Sequence, residues 1–136
     1  MKTKIRWPDG AKFAFSIFDD TDNSTVDNTK PVYDYLFEKG ILTTKSVWVY
    51  QPRGKFSGDS LSNQTYLNWI KALDRNGFEI GLHNVGDGFF TRQEILDGLG
   101  IFEKELGKVP YVHCNHVSTP DNLYWWHKRF VWPINL

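Results

Sequence analysis

Short apolar segments alternate with amphipathic segments along this chain, and the alternation constrains the fold more than any other feature. Four segments rich in β-branched and aromatic residues are predicted to be strands: Lys12–Phe18, Thr44–Tyr50, Phe78–Leu82 and Tyr111–Cys114. Segments with helical spacing follow them, beginning near Thr25, Asn63, Thr91 and Asp121. This order predicts an α/β fold with a parallel sheet of about four βα units in a single domain.

Local signals mark where the predicted helices begin and end. Thr25 is a candidate N-cap for the first helix, and Thr91 with Glu94 forms a capping box at the start of the third. Glycines follow the first three of the four predicted helices, at Gly40, Gly77 and Gly107. Because these signals lie close to the predicted strands, they indicate short loops between the strands and the helices.

Composition and charge exclude several classes of partner. Lys plus Arg equals Asp plus Glu at 16 each, and the absence of a basic stripe argues against nucleic acid. No apolar run approaches the ~20 residues that span a bilayer, so we expect no membrane segment. The basic N-terminus has no apolar stretch behind it, which predicts a cytoplasmic protein for the chain as given. Cys114 is the single cysteine, so an internal disulfide is excluded.

Polar and charged residues collect directly after each predicted strand. They are Asp19, Asp20 and Asp22 after the first strand, Gln51 and Arg53 after the second, His83, Asn84 and Asp87 after the third, and His113, Asn115 and His116 at the fourth. In parallel α/β folds these positions share one edge of the sheet, where active sites are built. Carboxylates and imidazoles converging there predict a divalent metal site, since a dication turns the repulsion among the carboxylates into attraction.

The mixed nitrogen and oxygen ligands favour Zn²⁺, with Co, Ni, Mn and Fe as alternatives. Some of these residues can also have a purely structural role. Asp19 or Asp22 can serve as the cap of a turn, and His113 can be a satisfied core residue.

Two sequence motifs resemble those of polysaccharide deacetylases of carbohydrate esterase family four. Ile17-Phe18-Asp19-Asp20 is similar to the Thr-Phe-Asp-Asp stretch that follows the first strand in that family. Gly77–Asn84, read as GFEIGLHN, resembles the context of its second motif, in which two histidines four positions apart bind metal. His83 matches the first of these histidines, and Asp87 stands where the family has the second.

The resemblance implies a partial distorted (β/α) barrel and a metal-dependent hydrolase that removes acetyl groups from N-acetylated sugars. Asp19 would be the general base, and Asp20, His83 and Asp87 would be the metal ligands. His113 and His116 are alternative replacements for the second histidine of the family motif, which this chain lacks. His116 is also the candidate general acid. Trp48 and Tyr50 are candidates for stacking on sugar rings, with core packing as their alternative, and Arg53 and Asn84 complete the expected substrate contacts.

An incomplete barrel has two open sheet edges, so we expect a homo-oligomer formed through these edges or through the aromatic segment Trp125–Leu136. Two other functions remain open. One is a non-catalytic, degenerate deacetylase-like module that binds carbohydrate or serves in assembly. The other is a phosphatase of the haloacid-dehalogenase type, in which Asp20 would be the nucleophile and Asp22 the acid, with Mg²⁺ as cofactor.

Overall fold

The computed structural model describes residues 6–117 and Thr119. A 3₁₀ turn at Pro8–Gly10 precedes strand β1 (Phe18–Asp19), helix α1 (Val26–Glu38), strand β2 (Thr44–Val47), helix α2 (Gln64–Arg75), strand β3 (Glu79–His83), helix α3 (Arg92–Leu106) and strand β4 (His113–Cys114). The predicted helix from Asp121 and the aromatic segment Trp125–Leu136 lie outside the described residues.

The four strands form one parallel sheet in the order β1-β2-β3-β4. The sheet curls into a half-barrel, which confirms the predicted α/β class and the partial barrel. In the register, Asp19 lies beside Lys45, and His83 lies beside Cys114. The carboxyl ends of all four strands therefore meet at one edge of the sheet.

Side chains that alternate along the strands separate a core from the opposite face of the sheet. Val47, Ile80 and Leu82 are buried with the helices in the main core. The helical residues of this core include Tyr33 from α1, Tyr66, Trp69, Ile70 and Leu73 from α2, and Phe102 from α3. On the opposite face, a Cβ at Gly81 would lie 3.1 Å from the ring of Phe18, so the two residues pack closely.

The predicted caps are present and fix where the helices begin. Thr25 and Thr91 each form a capping box with the third residue of their helix, Asn28 and Glu94. Asn63 caps α2 by accepting from the backbone N–H groups of Thr65 and Tyr66. These caps satisfy backbone donors that would otherwise lack partners.

The prediction of a buried strand over Lys12–Phe18 is wrong in extent. Only Phe18 and Asp19 pair with β2 as a strand, and the preceding Phe13 and Phe15 are 76% and 81% exposed. The reason is that β2 begins at Thr44, whose N–H donates to Ile17, so β2 offers no partner to the residues before Ile17. β1 is also an edge strand among the described residues, and its far side is therefore uncovered there.

None of the helices in the described part of the chain has the length and apolar character needed to cross a membrane. The longest of them, α3, has 15 residues.

Candidate metal centre

Three side chains from distant parts of the chain meet at the carboxyl end of the sheet. Asp22 lies in the loop after β1, His83 is the last residue of β3, and His116 follows β4. Each offers one ligand atom, and these atoms lie within 4.8 Å of one another. The parallel topology brings them together, because each follows the carboxyl end of its own strand.

The shortest contact in this triad is between Nε2 of His116 and Oδ1 of Asp22, at 3.1 Å. Nε2 of His83 lies 3.7 Å from the same oxygen, and the two imidazole ring centroids are 4.9 Å apart. The two rings are nearly inaccessible, whereas the side chain of Asp22 is 17% exposed. The triad is therefore partly covered and still reachable by a small ion.

Backbone carbonyl oxygens orient both imidazoles. Nδ1 of His83 lies 3.1 Å from the carbonyl oxygen of Cys114, and Nδ1 of His116 lies 2.7 Å from that of Val117. In the tautomer that carries its hydrogen on Nδ1, each ring donates to its carbonyl and presents the Nε2 lone pair toward Asp22. This arrangement of a fixed Nδ1 and a directed Nε2 is usual for histidines that ligate metals.

Burial favours the neutral form of two members of the triad, His83 and Asp22. Desolvation lowers the pKa of His83, although Asp20 and Asp22 oppose this shift, so the ring favours its neutral, ligating form. Desolvation also raises the pKa of Asp22, with His116 acting in the opposite direction. A carboxylate that has lost part of its hydration gains more than an exposed one from a nearby cation.

Asp20, predicted as a metal ligand, lies beside the triad. Its Oδ1 is 3.4 Å from Nε2 of His83 and also accepts from the backbone N–H of Asp22, at 3.2 Å. The side chain is 69% exposed. Asp20 is thus an accessible carboxylate next to one imidazole, whereas Asp22 lies between both.

Asp87, the third predicted ligand, supports the site from the side of His116. Its Oδ1 lies 3.7 Å from Nε2 of His116, and its Oδ2 accepts from the backbone N–H of Phe56, at 2.6 Å. The ring of Phe56 in turn lies edge-on to His116, with 5.3 Å between centroids. Asp87 therefore ties the loop between β2 and α2 to the wall of the site.

Of the two histidines predicted as replacement ligands, the structure brings His116 into the triad. His113 instead places Nε2 at 3.1 Å from Oδ1 of Asn84, and desolvation lowers its pKa. The same Asn84 oxygen accepts from the backbone N–H of His116. Asn84, predicted to contact substrate, is 8% exposed and links the two histidine segments.

Asp19, the predicted general base, lies on the side of its loop that faces away from the triad. Its Oδ2 lies 2.7 Å from Nζ of Lys45 and accepts from the hydroxyl of Tyr33 at 3.0 Å. Its side chain is 27% exposed. Desolvation and the charge of Asp19 both raise the pKa of Tyr33, so the hydroxyl keeps its proton and donates to the carboxylate.

Of the two alternatives for Trp48, stacking on a sugar and core packing, the structure favours core packing, because the side chain is completely buried. The indole packs behind His116, with 6.1 Å between ring centroids. Tyr50 stacks on Phe90, and Arg53 makes an ion pair with Glu94 at 2.7 Å. Contact of Tyr50 or Arg53 with a substrate stays a prediction.

Two residues of the site were missed by the ligand assignment made from sequence. The family resemblance does not assign Asp22 as a ligand, although its spacing from Asp20 puts both on the same side of an extended segment. Lys45 is not assigned by the resemblance either. A lysine inside an apolar strand, Thr44–Tyr50, was the available signal, because a buried ammonium requires a partner.

An open cavity of about 620 Å³ lies beside the acidic loop. Its lining combines the three carboxylates Asp19, Asp20 and Asp22 with apolar and polar residues of α1, including Val32, Leu36, Asn28 and Thr29. Asp22 is the member of the triad that lines this cavity, whereas His83 and His116 do not line it.

Fold and site together define an α/β half-barrel with a possible Asp-His-His metal-binding triad at the carboxyl end of its sheet. Comparison of the chain with protein-family models, with curated proteins and with solved structures finds no match in any of the three.

Proposed function

We propose that this chain is a metal-dependent hydrolase similar to polysaccharide deacetylases, which removes the acetyl group from an N-acetylated sugar. The observation that carries the proposal is the convergence of Asp22, His83 and His116 at the carboxyl end of the sheet. His83 belongs to the GFEIGLHN stretch that resembles the family, and Asp22 lies two residues after the resembling stretch Ile17-Phe18-Asp19-Asp20.

The donor set fits a divalent transition-metal ion. Two imidazole nitrogens and one carboxylate oxygen suit Zn²⁺ first, and Co, Ni, Mn or Fe as alternatives. The lowered pKa of His83 favours the neutral ring that ligation requires. Two imidazoles argue against the Mg²⁺ site of a phosphatase, since Mg²⁺ prefers oxygen ligands.

In the proposed enzyme Asp22, His83 and His116 would hold the ion. When bound, it would polarise the amide carbonyl and lower the pKa of a water molecule toward about 7. Asp20 has an exposed carboxylate beside His83 and is positioned to accept a proton. Asp19, which the resemblance implies as the base, is held by Lys45 and Tyr33.

With His116 in the ligand set, its expected role as general acid is given up in this proposal, and the proton that Asp20 takes from the water would pass to the leaving amine. Asp87 is likewise moved from ligand to support, because its Oδ2 is already bonded to the backbone of Phe56. The assignments thus shift along the acidic loop. The base changes from Asp19 to Asp20, and the carboxylate ligand changes from Asp20 to Asp22.

The cavity beside the acidic loop supports a carbohydrate as the substrate class. Sugars present apolar ring faces and hydroxyl edges. The cavity wall offers both kinds of partner, Val32 and Leu36 for the faces, Asn28 and Thr29 for the hydroxyls.

Acetate release from N-acetylglucosamine oligomers by zinc-reconstituted protein tests this function. We expect release that EDTA abolishes and that Asp22→Asn and His83→Ala reduce at least about 100-fold. His113→Ala is the matched control, because His113 is a neighbouring, partly buried histidine outside the triad.

Two outcomes would contradict the proposal. Zinc bound at one equivalent without acetate release from any N-acetylated sugar would favour the non-catalytic module. Release that survives both triad substitutions would mean that the activity comes from elsewhere.

A further inference from the structure

A completely buried lysine lies directly beneath the acidic loop. Lys45, on β2, has a side chain that is 0% exposed. Its ammonium lies 2.7 Å from Oδ2 of Asp19 and donates to Oγ1 of Thr21 at 3.4 Å and to Oγ of Ser24 at 3.3 Å. All three partners belong to one stretch of six residues, the loop that carries Asp20 and Asp22.

The side chains of this loop alternate between two environments. Asp19 and Thr21 face the buried ammonium, whereas the residues between and after them, Asp20 and Asp22, face His83 and His116. The alternation follows from the extended start of the loop, in which successive side chains point to opposite sides. One side of the loop is therefore bound to the sheet by Lys45, and the other side forms the candidate metal centre.

A buried ammonium is an unfavourable way to stabilise this position. Desolvation lowers the pKa of Lys45, and the charge of Asp19 opposes that shift. An apolar residue of similar volume, like the neighbouring Val47 and Ile80 on the same face, often stabilises a core as well as or better than a buried ion pair. What an apolar residue would lack is the ability to bind three polar groups of the loop at once.

We propose that Lys45 is a positioning residue of the metal centre. By binding Asp19, Thr21 and Ser24 it fixes the path of the loop, so that Asp22 reaches His83 and His116. The inference rests on the proposed function and adds to it a residue that touches neither the ion nor the substrate.

Zinc titration of Lys45→Met, followed by calorimetry, tests the inference. We expect the zinc affinity to fall about 10- to 100-fold, the range found when supporting residues around metal ligands are removed. The double variant Asp19→Asn/Lys45→Met separates positioning from stability, because it leaves no unpaired buried charge. Its melting temperature should recover toward that of the wild type, while its zinc affinity stays at least about 10-fold weaker.

A third variant keeps the ion pair and covers the case in which Lys45→Met does not fold. Thr21→Val/Ser24→Ala removes the two hydroxyl contacts of Lys45 and should weaken zinc binding by about threefold to tenfold. Wild-type zinc affinity in the folded variants would overturn the inference, as would a double variant that recovers affinity together with stability.

The metal-free proteins give a readout that does not depend on zinc. In the wild type the ring signals of His116 report its 3.1 Å contact with Asp22, and NMR should show them displaced in the folded Lys45 variants. A wild type that binds no zinc would overturn the proposed function itself. Unchanged His116 signals in the Lys45 variants would overturn the positioning role alone.

Discussion

Nε2 of His116 lies 3.1 Å from Oδ1 of Asp22, although 94 positions separate the two residues in the sequence. A contact between such distant residues is made by the fold. Strands β1 and β4 are at opposite edges of the sheet, and its curl brings the segments after them together over β3. The curvature of the half-barrel is therefore the structural condition for the candidate metal centre.

Asp20→Asn should reduce acetate release much more than Asp19→Asn, and both variants should still bind one equivalent of zinc when zinc is saturating. Asp20 is exposed beside His83, whereas the Asp19 carboxylate is engaged by Lys45 and Tyr33. We expect a loss of about 100-fold or more in kcat for Asp20→Asn, in the range of a removed general base. Equal zinc stoichiometry in the two variants is the control, and a larger kcat loss in Asp19→Asn would restore the assignment implied by the family resemblance.

The metal-free protein should lose stability as the pH falls below about 6.5. The pKa of His83 is lowered from 6.5 in the folded state, so the unfolded chain takes up a proton that the folded chain resists. The loss begins at the unfolded pKa and continues down to the folded one. Asp22 acts in the opposite direction at more acidic pH, because its raised pKa favours the folded state as it becomes protonated.

Melting temperatures between about pH 7.5 and pH 5.5 measure this dependence. His83→Gln should show a smaller decrease over that range than the wild type. His113→Gln should show the same trend, because burial lowers the pKa of His113 too. A decrease as large in His83→Gln as in the wild type would contradict the assignment to His83.

Gly54→Ala should destabilise the protein by about 1–3 kcal/mol, the usual effect of overpacking. A Cβ at this position would lie 2.6 Å from both carboxylate oxygens of Asp87, and one of them, Oδ2, already accepts from the backbone N–H of Phe56. Gly100→Ala is the matched control. Gly100 lies in α3 with nothing near its Cβ position, so alanine there should stabilise by about 0.5–1 kcal/mol. Urea unfolding measures both, and an unchanged midpoint for Gly54→Ala would contradict the tight packing around Asp87.

Association of this chain should depend on the residues before β1. Phe13 and Phe15 are 76% and 81% exposed next to β1, which is an edge strand among the described residues, and this combination favours pairing with a second copy. Light scattering should show a species larger than the monomer for the wild type and a shift toward the monomer for Phe15→Glu. Phe89→Glu, at an exposed phenylalanine outside this edge, should leave the mass unchanged. A monomeric wild type would contradict association through the open edge.

The sequence predicts the fold of this chain better than it predicts the members of its site. Strand order and helix caps follow from local patterns, and Thr25, Asn63 and Thr91 cap the helices that those patterns indicate. Residues after parallel strands must share one edge, so the general location of the site could also be predicted.

The direction in which each side chain points could not be predicted from local sequence patterns. Asp19, Asp20 and Asp22 are alike in chemistry, and only the pairing of Asp19 with Lys45 reveals which of them turn toward the histidines. Trp48 has an aromatic side chain of the kind that stacks on sugars, but in the folded chain it is buried behind His116. Both outcomes depend on tertiary contacts that no local pattern contains.

Anomalous diffraction at the zinc edge, from crystals of zinc-reconstituted protein, tests the central claim most directly. The account predicts a single strong peak about 2.0–2.2 Å from a carboxylate oxygen of Asp22 and from Nε2 of both His83 and His116. Zinc ligated by other residues, such as His113 and Cys114, or no peak between these three side chains at full zinc loading, would contradict it.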